Sequence, residues 1–277
     1  VARTVIADRT GSLHTYVTPF KTSKEYRVNR DSDDFLRAAT VLGGGSLIAA
    51  TLLFSAVFVF LARTFSYPDV LDLPAAQVLP QLLALGSGGR AVWVLYGLIP
   101  LLLLPTAMGV YAAGRHASPL TARAALILAL LSAVAMMAGL LRWPSLHWHL
   151  ALAYAEASPA AREAITAVFA ASNSYLGNFV GEFLGELFLN SFFLCAAIVL
   201  TRAAAPGRRW LMVAGASASM LGGLAMLRNV FAWVEPIAAL NNVVLPIWML
   251  VLGVALVRRR PSPPGLALPP QRLETRP

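Results

Sequence analysis

Four polar side chains recur at four-residue spacing in an otherwise apolar stretch, Asn178-Phe-Val-Gly-Glu182-Phe-Leu-Gly-Glu186-Leu-Phe-Leu-Asn190. At 3.6 residues per turn, Asn178, Glu182, Glu186 and Asn190 share one slowly drifting helix face. Carboxylates in such a run can bind a cation, carry a proton, or hold a neighbouring helix through an ion pair. Even on the mildest scales a charged side chain at the centre of a membrane span costs about 2.5–3.5 kcal/mol, so these groups must face the bundle interior and find partners. Beside them Gly177, Gly181 and Gly185 form a stripe of small residues that lets another helix approach closely. A homo-oligomer through that face is one expected use of it. Further along the chain, Arg228, Asn229, Asn241 and Asn242 supply the other polar groups of the late apolar runs.

Long apolar segments must position these groups. Of 277 residues, 58% are hydrophobic and 13% charged, about half the ~25% charged share of soluble domains. The mean hydropathy is +0.68. So little polar surface cannot cover so much apolar mass, which excludes a soluble globular enzyme and general disorder. The fold class expected is an all-α polytopic membrane protein. Six stretches reach or approach the ~20 apolar residues that a ~30 Å hydrocarbon core requires. They run from about Ala39 to Phe65, Ala91 to Ala113, Ala122 to Trp143, Phe179 to Thr201, Trp210 to Trp233 and Ile237 to Val257. The expected organisation is a six-helix bundle over 39–258 between a polar tail (1–38) and a Pro-rich tail (259–277). The Thr/Tyr/Val alternation of Leu13-His-Thr-Tyr-Val-Thr would suit a weak hairpin, but with no apolar mass to bury a flexible tail is expected. The Pro-rich tail is expected to be unstructured.

Two outer loops are substantial. The first, about Ser66 to Arg90, contains Pro74-Ala-Ala-Gln-Val-Leu-Pro80-Gln-Leu-Leu, a short amphipathic helix for the membrane surface, and ends in a flexible Gly86-Ser-Gly-Gly89. The second, about Pro144 to Asn178, is expected to form one or two short helices. Ser158 is their N-cap and Pro159 their first helical residue. With the N-terminal tail in the cytoplasm, seventeen of the 22 Lys and Arg fall on the inner side. Arg63, Arg90, Arg142, Arg162 and Arg228 fall outside or near outer helix ends. The positive-inside rule then puts both tails in the cytoplasm. It also explains the net charge of +9 without nucleic acid. Arg outnumbers Lys 20 to 2 and Ala is abundant, a bias that fits a GC-rich bacterial genome and hence the bacterial cytoplasmic (inner) membrane. No cleavable signal peptide is visible before the first apolar segment.

Depth joins the polar groups. At 1.5 Å per residue, Glu182 and Glu186 lie roughly 5 and 10 Å below the outer end of the fourth helix, and Arg228 roughly 7–8 Å below the same surface. Asn241 and Asn242 fall at a similar level on the sixth. An ion pair from Arg228 to Glu182 and Glu186 is the natural arrangement, since the planar guanidinium meets a carboxylate bidentately. Two acids facing one arginine leave one carboxylate in excess. Two readings stay open: a polar cluster that only fastens helices together, or a site for a small-molecule ligand or a proton.

Other motifs carry less. His147 and His149 flank Trp148, and a His-x-His pair can chelate a metal; the alternative is an aromatic belt with solvated histidines. No histidine is expected inside a span, which argues against paired axial haem ligands. The single cysteine, Cys195, excludes an internal disulfide and a Cys-based zinc or iron–sulfur site. No His-Glu-x-x-His, Walker A or nucleotide motif occurs. No cofactor is implied.

Tyr175-Leu-Gly-Asn-Phe-Val-Gly-Glu-Phe-Leu-Gly-Glu leads into an apolar helix. The turn Pro206-Gly-Arg-Arg-Trp210 and the ending Leu245-Pro-Ile-Trp-Met-Leu-Val-Leu-Gly-Val-Ala-Leu-Val-Arg-Arg-Arg follow. In these segments the stretch from about Asn173 to Arg260 resembles the DUF4386 family of bacterial multi-pass membrane proteins. Weaker similarity in helix layout reaches back to the first helix. The resemblance implies the membrane fold but no activity and no site residues. Three functional readings follow: a non-enzymatic protein binding a small or lipidic ligand or a partner through the polar layer; a small proton-coupled secondary transporter using Glu182 and Glu186; and a lipid-modifying enzyme with a glutamate as general base. The last lacks a recognisable nucleophile, metal set or phosphate cradle.

Overall fold

The computed structural model describes residues 34–203 and 209–259, Asp72 by its backbone alone, and the backbone of 2–7, 13–18 and 23–33. Two compact units divide the chain, Ala39–Arg259 and the flanking segments. In the flanking unit, β1 (Ala2–Ala7) and β2 (Leu13–Thr18) pair antiparallel, with Ala2 opposite Thr18 and Ala7 opposite Leu13. The hairpin that the Thr/Tyr/Val alternation permits is thus present where a flexible tail was expected. The Pro-rich tail and the turn at Pro206 lie outside the described residues.

The larger unit is all-helical among its described residues, with six membrane-spanning helices: Asp34–Phe65, Gly86–Gly114, Pro119–Glu156, Pro159–Arg202, Arg209–Asn229 and Ala232–Val257. Only between 28% and 50% of each apolar window is buried by the protein. The rest faces outward, as with Leu120, Val213, Met220 and Ile247. Outward apolar side chains are stable only in lipid, and a helix is the form in which every backbone polar group is satisfied there. The end of the bundle that carries residues 66–85 is the loop end. An aromatic and aliphatic core occupies it, with Trp93 and Trp143 stacked at 4.9 Å and Phe65 edge-on to both. A second core, built on Phe192, Phe193, Leu200, Leu252 and Leu256, fills the opposite half.

The third and fourth spans depart most from expectation. The third does not stop before Pro144. A π turn over Trp143–His147 carries the chain past the proline into a helix from Trp148 to Glu156. In that wider turn the His147 amide donates to the Arg142 carbonyl at 2.8 Å, five residues back. The fourth span starts at Pro159, with Ser158 as N-cap accepting from the Ala161 amide, as the sequence indicates. It winds as a π-helix over Asn173–Leu184 and then as an α-helix over Gly185–Arg202. The supposed second loop is therefore reduced to Ala157 and Ser158. A helix of 44 residues is about 66 Å long at ~1.5 Å per residue, against ~40–45 Å for a bilayer with its headgroups. The expected loop helix is present as Ala75–Ala84. It is not laid on lipid alone: Val78, Leu79 and Leu82 are fully buried in the aromatic core. Gly86-Ser-Gly-Gly89 is not a flexible link but the first turn of the second span, with Gly86 at φ +62° where a side chain would be strained.

Candidate functional site

Two faces of the fourth span do different work. Its glycine face meets the third span so closely that a Cβ on Gly181 would lie 2.8 Å from the Gly139 Cα, backbone against backbone. A Cβ on Gly185 would lie 2.7 Å from Met136 Cγ, and one on Gly177 would overlap the Arg142 guanidinium. The stripe of Gly177, Gly181 and Gly185 is thus filled from within the chain. This corrects the expectation of a homo-oligomer through that face. A stripe of small residues specifies a close neighbour but not which helix supplies it.

The other face carries Glu182 and Glu186 toward the fifth span. There the α-helix Arg209–Ala225 tightens into a 3₁₀ turn, Met226–Asn229, that presents Arg228. Arg228 Nη1 donates to Glu186 Oε2 at 2.9 Å and Nη2 to Glu186 Oε1 at 2.8 Å, a two-pronged contact. Nη2 also donates to Glu182 Oε2 at 2.8 Å. Nη1 reaches the Ala225 carbonyl at 3.1 Å, which closes the turn. Charge-assisted bonds in this fork geometry are short and orientationally specific. Side-chain exposure is 14% for Glu186, 20% for Arg228 and 25% for Glu182, so Glu182 is the most open of the three.

The remaining candidates separate. Asn190 is buried, donates from Nδ2 to the Glu186 carbonyl at 2.7 Å, and rests its Oδ1, which has no donor, against Gly222. Asn229 bonds the Met226 carbonyl within its own turn at 3.3 Å and does not reach the carboxylates. Asn241 is buried with its Oδ1 unpartnered. Asn242 is exposed and leaves the layer, because successive helical residues are turned by about 100° and both cannot face inward. His147 and His149 also point apart. His147 is buried inside the extended third span, with Nε2 3.1 Å from Ser172 Oγ and its ring against Trp143 and Phe169, whereas His149 is exposed. Among the described residues no group of three His, Cys, Asp or Glu could hold a metal ion.

Arg142 is the residue that sequence reasoning misplaced. It is 5% exposed rather than lying at an outer helix end. Its Nε and Nη2 donate to Asn173 Oδ1 at 3.3 and 3.0 Å, its Nη1 donates to the Gly139 carbonyl, and its guanidinium lies against the Trp143 ring. Asn173 in turn donates from Nδ2 to the Leu71 carbonyl at 3.2 Å, tying the first loop to both long helices. Tyr67, in the loop, packs edge-on against Tyr96. Burial first, and the Glu182 carboxylate second, push its hydroxyl above the ordinary tyrosine range. One signal in the sequence pointed to the Arg142 slot: Gly177, whose missing side chain makes room for the guanidinium.

The family model described as "Domain of unknown function (DUF4386)" matches residues 47–253. No curated protein and no solved structure matches the chain.

Proposed function

The chain belongs to the DUF4386 family, and from that premise we propose a non-enzymatic membrane protein that binds a small or lipidic ligand, or a protein partner, through the polar layer at the loop end. Glu182 is the group that meets it. The observation that carries this reading is the unequal sharing of Arg228: both prongs hold Glu186, while Glu182 is touched through Oε2 alone and is the more exposed. A carboxylate so placed suits a cationic group or a proton on the incoming molecule. Treatment of the liposome-embedded protein with an apolar carbodiimide, followed by peptide mapping, is expected to modify Glu182 and spare Glu186. Modification of Glu186 in preference to Glu182, or of neither, would count against the reading.

A second reading, a small proton-coupled transporter using Glu182 and Glu186, is favoured by helix irregularity on both sides of the ion pair. The π-helical Asn173–Leu184 carries Glu182, and the fifth span breaks at Met226–Asn229. Broken helices at a site are common in transporters, and π segments often mark function. A potential-driven proton flux into proteoliposomes, lost in Glu182→Gln, would select this reading; equal flux in both proteins would remove it. For location, the Arg- and Ala-rich composition supports the bacterial cytoplasmic membrane, and the distribution of basic residues supports an orientation with the segments before the first span and after the sixth in the cytoplasm. An impermeant maleimide applied to intact cells should then label Ser158→Cys and not Ala117→Cys; the reverse pattern would invert the topology.

A further inference from the structure

A groove of about 490 Å³ opens at the loop end between the loop helix Ala75–Ala84 and the segment Trp148–Glu156. Ala76, Pro80, Leu83, Ala155 and Tyr154 line it, and Arg162 is the charged residue of its lining. The volume falls within the ~300–1,000 Å³ of small-molecule sites. We propose that it is a binding site, separate from the ion-pair layer, for a single-chain anionic amphiphile whose alkyl tail fills the groove and whose phosphate or carboxylate sits on Arg162.

Three observations support this. The walls are mostly apolar, which favours an alkyl chain there over water. The groove is open along one side rather than enclosed, which gives an alkyl chain a way in. Arg162 is pre-positioned: its Nε donates to the Tyr154 carbonyl at 3.3 Å and its guanidinium lies 5.1 Å from the Tyr154 ring centre. Its terminal nitrogens make no hydrogen bond or ion pair among the described residues, which leaves the two-pronged edge that matches a phosphate or carboxylate. Glu156 and Glu163 are exposed neighbours in sequence but lie outside the lining. A groove of this volume has room for one alkyl chain but not for the two of a bilayer lipid.

The experiment uses the full chain in nanodiscs and a dodecyl phosphate with a diazirine at the tail end, cross-linked by light and mapped by mass spectrometry. Cross-links are expected on the groove segments 76–83 and 151–155. Arg162→Gln should reduce them at least tenfold and Arg162→Lys less, and Ala155→Trp or Ala76→Trp, at exposed positions, should abolish them. An excess of unlabelled dodecyl phosphate should compete, while dodecanol competes weakly and inorganic phosphate does not. Cross-links confined to the outward faces of the spans, or equal in wild type and all four variants, would overturn the proposal. Competition by inorganic phosphate as strong as by dodecyl phosphate would overturn the role of the tail.

Discussion

Gly181→Val is expected to lower the unfolding midpoint of the purified protein more than any other glycine substitution on the fourth span. The site has no slack, since even a Cβ there would come within 2.8 Å of a backbone atom of Gly139. Adding methyl groups to a filled contact typically costs about 1–3 kcal/mol, and backbone cannot rotate away as a side chain does. Small residues at a membrane helix contact act by permitting this approach. Gly223 and Gly45 are the controls, because a Cβ at either meets nothing within 4 Å. Both lie within helices, where alanine is favoured over glycine by about 0.5–1 kcal/mol, so Gly223→Ala and Gly45→Ala should hold or raise the midpoint. Unfolding followed in detergent micelles reads both signs. A Gly181→Val midpoint equal to wild type would mean that the third and fourth spans do not meet here.

Arg228→Met should be the other severe substitution. It removes the one partner that contacts both Glu182 and Glu186 and leaves two carboxylates facing each other within the bundle. Breaking a buried pair by removing one member costs about 3–5 kcal/mol, and the partial exposure of these side chains places the expectation at the lower end. Replacing all three with apolar residues of similar size (Arg228→Met, Glu186→Leu and Glu182→Met together) should recover most of that loss, because none of the three charges is then left without its ion-pair partner. If the triple variant is as unstable as Arg228→Met alone, unpaired charge is not the cause of the loss.

The ion pair was legible because two simple periodicities met. The four-residue spacing of Glu182 and Glu186 fixed a face; the depth count reached the pairing with Arg228 from a helix end near Phe179 that the structure moves back to Pro159. Arg142 escaped the same arithmetic. Its partners are Asn173, 31 residues away, and through it Leu71, which lies 102 residues from Asn173 in sequence. Pairing of that kind is set by packing and carries no local pattern. The π segments escaped for a related reason: a reading at 3.6 residues per turn ends a helix before Pro144, whereas the five-residue turn at Trp143–His147 passes through it. The glycine stripe was visible as a contact surface, but nothing in it names the helix that supplies its partner, Gly139 on the third span. Asn241 and Asn242 were equivalent by depth, and only rotation about the helix axis separated them.

A double-mutant cycle on unfolding free energy, with Glu186→Gln, Arg228→Gln and the two combined, tests most directly whether the fourth and fifth spans are joined through this contact. Groups in one ion-pair network couple by about 0.5–3 kcal/mol. The geometry places these two in the upper part of that range, with the double variant clearly more stable than the sum of the single losses implies. Losses that add to within ~0.3–0.5 kcal/mol would show that Glu186 and Arg228 do not meet, and would remove the physical basis for a site at this layer.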